Sequence, residues 1–173
     1  MKRSFTLIEI LIYLSVLAII ISAVISFFIW VNQSNAKTKA MREVIDNGRR
    51  ATEVITYEIK EAKGIYFPTS VFSSNPGQLS LITSKYLPEE ETATYIDFYI
   101  CGTQICFKKE SQDPIVLTSD DTEIKSLIFK EIATKKNNPS IQIELKIDYK
   151  TPSTNPSYQA SATLESTASL RLY

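Results

Sequence analysis

Lys2-Arg3-Ser4-Phe5-Thr6-Leu7-Ile8-Glu9 runs without a break into an uncharged stretch that ends at Val31, and this opening decides the architecture of the chain. A hydrocarbon core about 30 Å thick needs roughly 20 apolar helical residues, and Ile10–Val31 supplies that length. Glu9 stands at the edge of the span, where an acid costs on the order of 2.5–3.5 kcal/mol on insertion scales and is kept only if a partner compensates. Lys2 and Arg3 precede the apolar run, so the positive-inside rule places the N-terminus in the cytoplasm and the rest of the chain outside. Two plainer readings of the segment are weaker. A secretory signal peptide has a shorter apolar region closed by an A-x-A-like site. An ordinary signal anchor has no use for Phe5-Thr6-Leu7-Ile8-Glu9 and avoids the acid.

The basic leader, the Phe5-to-Glu9 block and the unbroken apolar helix together resemble the class III leader and N-terminal helix of the type IV pilin family. The resemblance is close from Met1 to Val31 and architectural beyond. It implies a prepilin peptidase that cuts between Ser4 and Phe5 and methylates the new amine of Phe5. Ser4 stands where the family has Gly. It also implies that Glu9 pairs with the amine of an adjacent subunit as helices pack into a filament, which gives the buried charge a charge-assisted partner. The partners implied are other pilin or pseudopilin subunits, the peptidase, an inner-membrane assembly platform and membrane lipid.

The composition points the same way. The 173 residues carry 19 basic and 19 acidic side chains, which removes a broad electrostatic case for nucleic acid or anionic lipid as a bulk partner. The chain has no histidine, and with it go the commonest general base, the commonest metal ligand and every His-dependent triad. No nucleophile elbow, phosphate-cradling Gly-rich loop or metal motif occurs, so neither an enzymatic role nor a cofactor is expected.

From Asn32 to Lys63 the helical pattern continues, with Ala36, Ala40, Val44, Ala51, Ile55, Ile59 and Ala62 on one stripe and charges on the remainder. Lys39–Glu43, Arg42–Asp46, Asp46–Arg50 and Arg49–Glu53 stand at i,i+4 spacing. Gly48 reads as a bend or a tolerated defect, and Gly64 with Pro68 as a stop. Beyond Ile65 the pattern turns to strands. Ile96, Phe98 and Ile100 alternate, and Ile105 with Phe107 answers across Gly102-Thr103, a type II′ hairpin signal. Further strands are expected at Pro114–Leu117, Ser126–Glu131, Ser140–Tyr149 and Tyr158–Leu172, with turns at Lys135–Pro139 and Thr151–Pro156.

The expected fold is therefore α+β, a long N-terminal helix packed on an antiparallel sheet. Residues 1–4 form a leader, 5–33 a transmembrane and assembly helix, 34–64 its amphipathic continuation, and 65–173 a loop-rich antiparallel β domain. The pilin resemblance implies the same architecture. Within that family, the hairpin followed by Leu117-Thr118 and Leu127-Ile128-Phe129 resembles the larger minor pilins and minor pseudopilins.

Three weaker candidates complete the reading. Cys101 and Cys106 lie in a compartment where disulfides persist, yet the hairpin register makes them diagonal neighbours near the limit of disulfide geometry, so a bridge and two free thiols both stay open. Asp120, Asp121 and Glu123 offer carboxylates for calcium at a spacing that matches no known loop, which favours a polar turn. Lys135-Lys136, Arg49-Arg50 and Lys108-Lys109 could touch DNA phosphates, but scattered pairs without interleaved aromatics read as solvated surface. The function expected is a structural subunit of a type IV pilus or type II secretion pseudopilus, with an anchored extracytoplasmic binding domain that never polymerises as the alternative and an anchored hydrolase further behind. Such a subunit sits in the cytoplasmic membrane before assembly, and in a surface pilus or periplasmic pseudopilus after it.

Overall fold

A computed structural model describes residues 6–85, 87, 92–132, 139–151 and 158–171. Helix α1 runs unbroken from Leu7 to Glu61, and among the described residues eight strands follow: β1 (Gly64–Ile65), β2 (Leu79–Thr83), β3 (Thr94–Cys101), β4 (Gln104–Lys109), β5 (Ile115–Val116), β6 (Thr122–Ile132), β7 (Ser140–Tyr149) and β8 (Ser161–Ser169). The fold is α+β, as the patterning predicts. Its strands form two antiparallel sheets, one of order β1-β2-β3-β4-β5 and one of order β6-β7-β8. The break between them comes at a turn after β5. Thr122 N donates to Ser119 O at 3.2 Å, and Ser119 N is held at 2.8 Å by Asn47 Oδ1 from α1, so the chain leaves the first sheet at the helix and starts the second.

The upper half of α1 packs on β7 and β8. Ile141, Ile143, Leu145 and Ile147 alternate to the inner face of β7 and are fully buried beside Leu127 and Phe129 of β6 and Val44, Ala51, Ile55 and Ile59 of the helix. Gly48 is a contact point in a helix that continues unbroken through it. A Cβ there would stand 2.6 Å from Leu164 Cδ1 and 3.3 Å from Ile147 Cγ2, so the missing side chain is what lets the helix lie close on the sheet. Gly64 plays no part in stopping the helix. Ala62 already has extended torsions, and Gly64 pairs with Ile82 in β1.

Of the four i,i+4 pairs that the spacing offers, Arg49–Glu53 closes at 3.1 Å, and the other three form no ion pair among the described residues. Exposed long side chains gain too little from pairing to fix one geometry. A less exposed ionic node sits at the helix end, where Glu61 reaches Lys85 at 3.5 Å and Arg171 at 3.5 Å and so ties the β2–β3 connection and the segment after β8 to one carboxylate. Burial pulls the Lys85 ammonium down, but the Tyr57 side chain, over whose ring it stands at 4.2 Å, and the carboxylates of Glu58 and Glu61 outweigh that and leave it above its ordinary value. A raised folded-state pKa means that the contribution is fully present below pH 10.5, the unperturbed value, and is lost as pH rises through the folded one. Thermal melts should therefore fall more steeply above that pH in the unsubstituted protein than in Lys85→Met.

One edge of the second sheet is covered. Ser73 N and Gly77 N each donate at 2.8 Å to Phe129 O and Leu127 O of β6, and Asn75 Oδ1 accepts from Leu127 N at 3.1 Å. The connection between β1 and β2 thus satisfies the edge of β6, where unpaired main chain would otherwise invite another strand.

Candidate functional site: the exposed N-terminal helix

Residues 1–5 lie outside the described residues, so the cleavage position at Ser4 and Phe5 is not placed by the structure. Description starts at Thr6, whose carbonyl accepts from Glu9 N at 3.1 Å and Ile10 N at 3.3 Å and opens the helix. Glu9 is the acid of the first helical turn, where the dipole favours negative charge. Among the described residues no cation faces its carboxylate.

Every large apolar side chain from Leu7 to Trp30 is at least 48% exposed, and the most apolar window of this helix has no residue buried within the protein. An apolar surface of this length is stable only if something outside the chain covers it. Its three serine hydroxyls are already compatible with lipid. Ser15 and Ser22 hydroxyls donate to Ile12 O and Ile19 O at 2.8 Å, and Ser26 donates to Ser22 O at 2.9 Å, so none needs water. The first fully covered position on the helix is Ala40, where the β domain begins to pack.

The remaining candidates stay apart. Cys101 and Cys106 are joined as a disulfide across the β3–β4 hairpin, with Cα atoms 5.8 Å apart. Cys101 pairs with Gln104 and Cys106 with Tyr99, and Gly102 has φ +65° while Thr103 does not turn positive, the sign pattern of a type II′ loop. Asp120 Oδ1 accepts from Gln104 Nε2 at 3.1 Å and Glu123 pairs with Lys125 at 2.8 Å, and the described residues contain no acid or cysteine group able to hold a metal. Arg49 is engaged with Glu53 on the helix, Lys108 and Lys109 are on β4, and Lys135-Lys136 lie outside the described residues, so no single basic patch forms from those that are placed. A cleft of about 400 Å³ between α1 and β8 is lined by Thr56, Glu61, Ser166 and Arg171 among others; its Thr56 and Ser166 hydroxyls lie 3.3 Å apart, and its Glu61 carboxylate is paired with Arg171.

Residues 1–25 match the prokaryotic N-terminal methylation motif, the class III leader of type IV pilins. No curated protein and no solved structure matches the chain. The leader and the long apolar helix fit a single-pass membrane anchor carrying a pilin-like or pseudopilin-like α+β protein. The motif points to a structural rather than an enzymatic role and to association with pilin subunits and prepilin peptidase in general.

Proposed function

We propose that this chain is a structural subunit of a type IV pilus or type II secretion pseudopilus, of the minor class, which assembles through its N-terminal helix. The observation that carries the reading is the coincidence of the methylation motif at 1–25 with a helix whose apolar surface is uncovered from Leu7 to Trp30. Lipid covers that surface before assembly, and neighbouring helices replace lipid in the filament. Glu9 is the residue that separates this role from a plain anchor. Its carboxylate lies four residues past the amine that cleavage before Phe5 would create, so the same group costs energy in lipid and gains a charge-assisted partner in a neighbouring subunit. The domain limits follow this division, with 1–4 removed, 5–33 spanning and assembling, and 34–64 carrying the β domain of 65–173 clear of the membrane.

The test is the mature N-terminus. N-terminal peptide mass analysis of protein from the native cell should find Phe5 first, carrying one methyl group. Ser4→Gly should raise the processed fraction, because it restores the residue usual at that position in the family the leader resembles. Assembled material that retains Met1 would overturn the processing claim.

A further inference from the structure

The chain as a whole is neutral, but its charges are unevenly placed. Residues 1–42 hold five of the 19 basic residues and one of the 19 acidic ones, and no Asp or Glu occurs between Ile10 and Arg42. After the span comes the uncharged polar run Asn32-Gln33-Ser34-Asn35, then Lys37, Lys39 and Arg42, all exposed on the helix. None of the three forms an ion pair among the described residues. Glu43, the acid four residues past Lys39, receives the Asn47 amide instead at 3.5 Å.

Helix geometry fixes how far each cation stands from the membrane. At 1.5 Å per residue, Lys37 is about 9 Å, Lys39 about 12 Å and Arg42 about 16 Å beyond Val31 along the axis. The headgroup layer is about 5–8 Å deep on each side of the hydrocarbon. Side chains on a helix lean toward its N-terminus, which here is the membrane side. A lysine stem about 6 Å long therefore carries the Lys37 and Lys39 ammonium groups down to the phosphates, and leaves Arg42 above them. The two lysines are two residues apart, about 200° around the helix, so they serve lipids on opposite sides.

We infer that Lys37 and Lys39 form a basic collar that binds the phosphates of anionic lipids in the leaflet farther from the N-terminus. The inference rests on the membrane-anchor part of the reading above. A second copy inserted at the same depth cannot supply the counter-charge, because it presents the same acid-free stretch at that level. Ala40 is the first helix position that the β domain buries, and among the described residues no acid of that domain pairs with either lysine.

Trp30, the single tryptophan of the chain, lies just below the collar and reports on it. The full-length protein is reconstituted in phosphatidylcholine vesicles containing a minor fraction of phosphatidylglycerol, and energy transfer from Trp30 is compared between tracer dansyl lipids with the two headgroups. Transfer should favour the anionic tracer about threefold to fivefold at low salt, and the preference should fade as salt screens it. Lys37→Gln with Lys39→Gln should bring the ratio near one. The matching Lys→Arg pair and Arg42→Gln should preserve it. A ratio that survives the double Gln substitution, falls equally with Arg42→Gln, or rises with the protein-to-lipid ratio would overturn the collar. A blue shift of Trp30 emission in purely zwitterionic vesicles tests the anchor separately. Without the shift the anchor fails and the collar with it. With the shift and a ratio near one in the unsubstituted protein, the collar alone fails.

Discussion

Glu9→Leu is expected to leave the protein in the membrane and abolish its entry into filaments. Insertion should be unchanged or improved, since the substitution removes a charge that costs on the order of 2.5–3.5 kcal/mol in the span. Assembly loses the only acid between the leader and Glu43, so no other side chain of the helix could take over the pairing with a neighbour's amine. The structure agrees that the partner must come from elsewhere, because no cation in the described chain reaches Glu9. The measurement is a fractionation. Sheared filaments or crosslinked pseudopilus material should contain little or none of the variant, while the membrane fraction holds normal amounts of monomer and the other subunits are expressed as usual. A simple anchor predicts no change at all. Wild-type localisation and activity in a Glu9→Leu strain would therefore favour the anchored binding domain over the filament subunit.

The long N-terminal helix, the hairpin and β7 were all legible, each for a stated physical reason. An uncharged run of span length admits one solution in lipid, Gly102 occupies the position that a type II′ loop reserves for positive φ, and the strict alternation of Ile141, Ile143, Leu145 and Ile147 fixed Ser140–Tyr149 to the residue. β6 was half legible. It starts at Thr122 rather than Ser126, because an irregularity between Ile124 and Ser126 breaks the alternation and hides the first turn of the pattern. The covering of β6 by Ser73 and Gly77 left no sign, since main-chain bonds from a loop need no periodic side chains. The contact made at Gly48 was hidden for a related reason. Helix propensity records what glycine costs locally, whereas its use here lies in Leu164, more than a hundred residues away. The site divides in the same way. An acid beside an apolar run announces itself in one sequence, but the group that pairs with it in an assembly belongs to another copy.

Phe129→Ala should be the most damaging single truncation in the β domain. The ring is fully buried on the inner face of β6, opposite Ile143, and it also lies beneath the β1–β2 connection, where a Cβ on Gly77 would stand 3.2 Å from its Cδ2. Removing it opens a cavity shared by the sheet core and the segment that seals the β6 edge, and neither wall is free to collapse. The Gly77 amide is fixed to Leu127 O on one side, and Ile143 is held between two strands on the other. A buried Phe-to-Ala change costs about 3–5 kcal/mol, a large share of the roughly 5–15 kcal/mol that holds a domain together. In a span-deleted chain starting at Ser34, expected to fold because its core is complete without the membrane segment, the melting midpoint by circular dichroism should drop by about 10–20 °C. Gly48→Ala makes the contrast, because its 2.6 Å clash is with the end of the half-buried Leu164 side chain, so it asks for a small shift of the helix or of that leucine and opens no cavity. If the two variants melt together, or Phe129→Ala shifts the midpoint by less than about 4 °C, the ring is not the keystone of this core and the β1–β2 connection is held by its main-chain bonds alone.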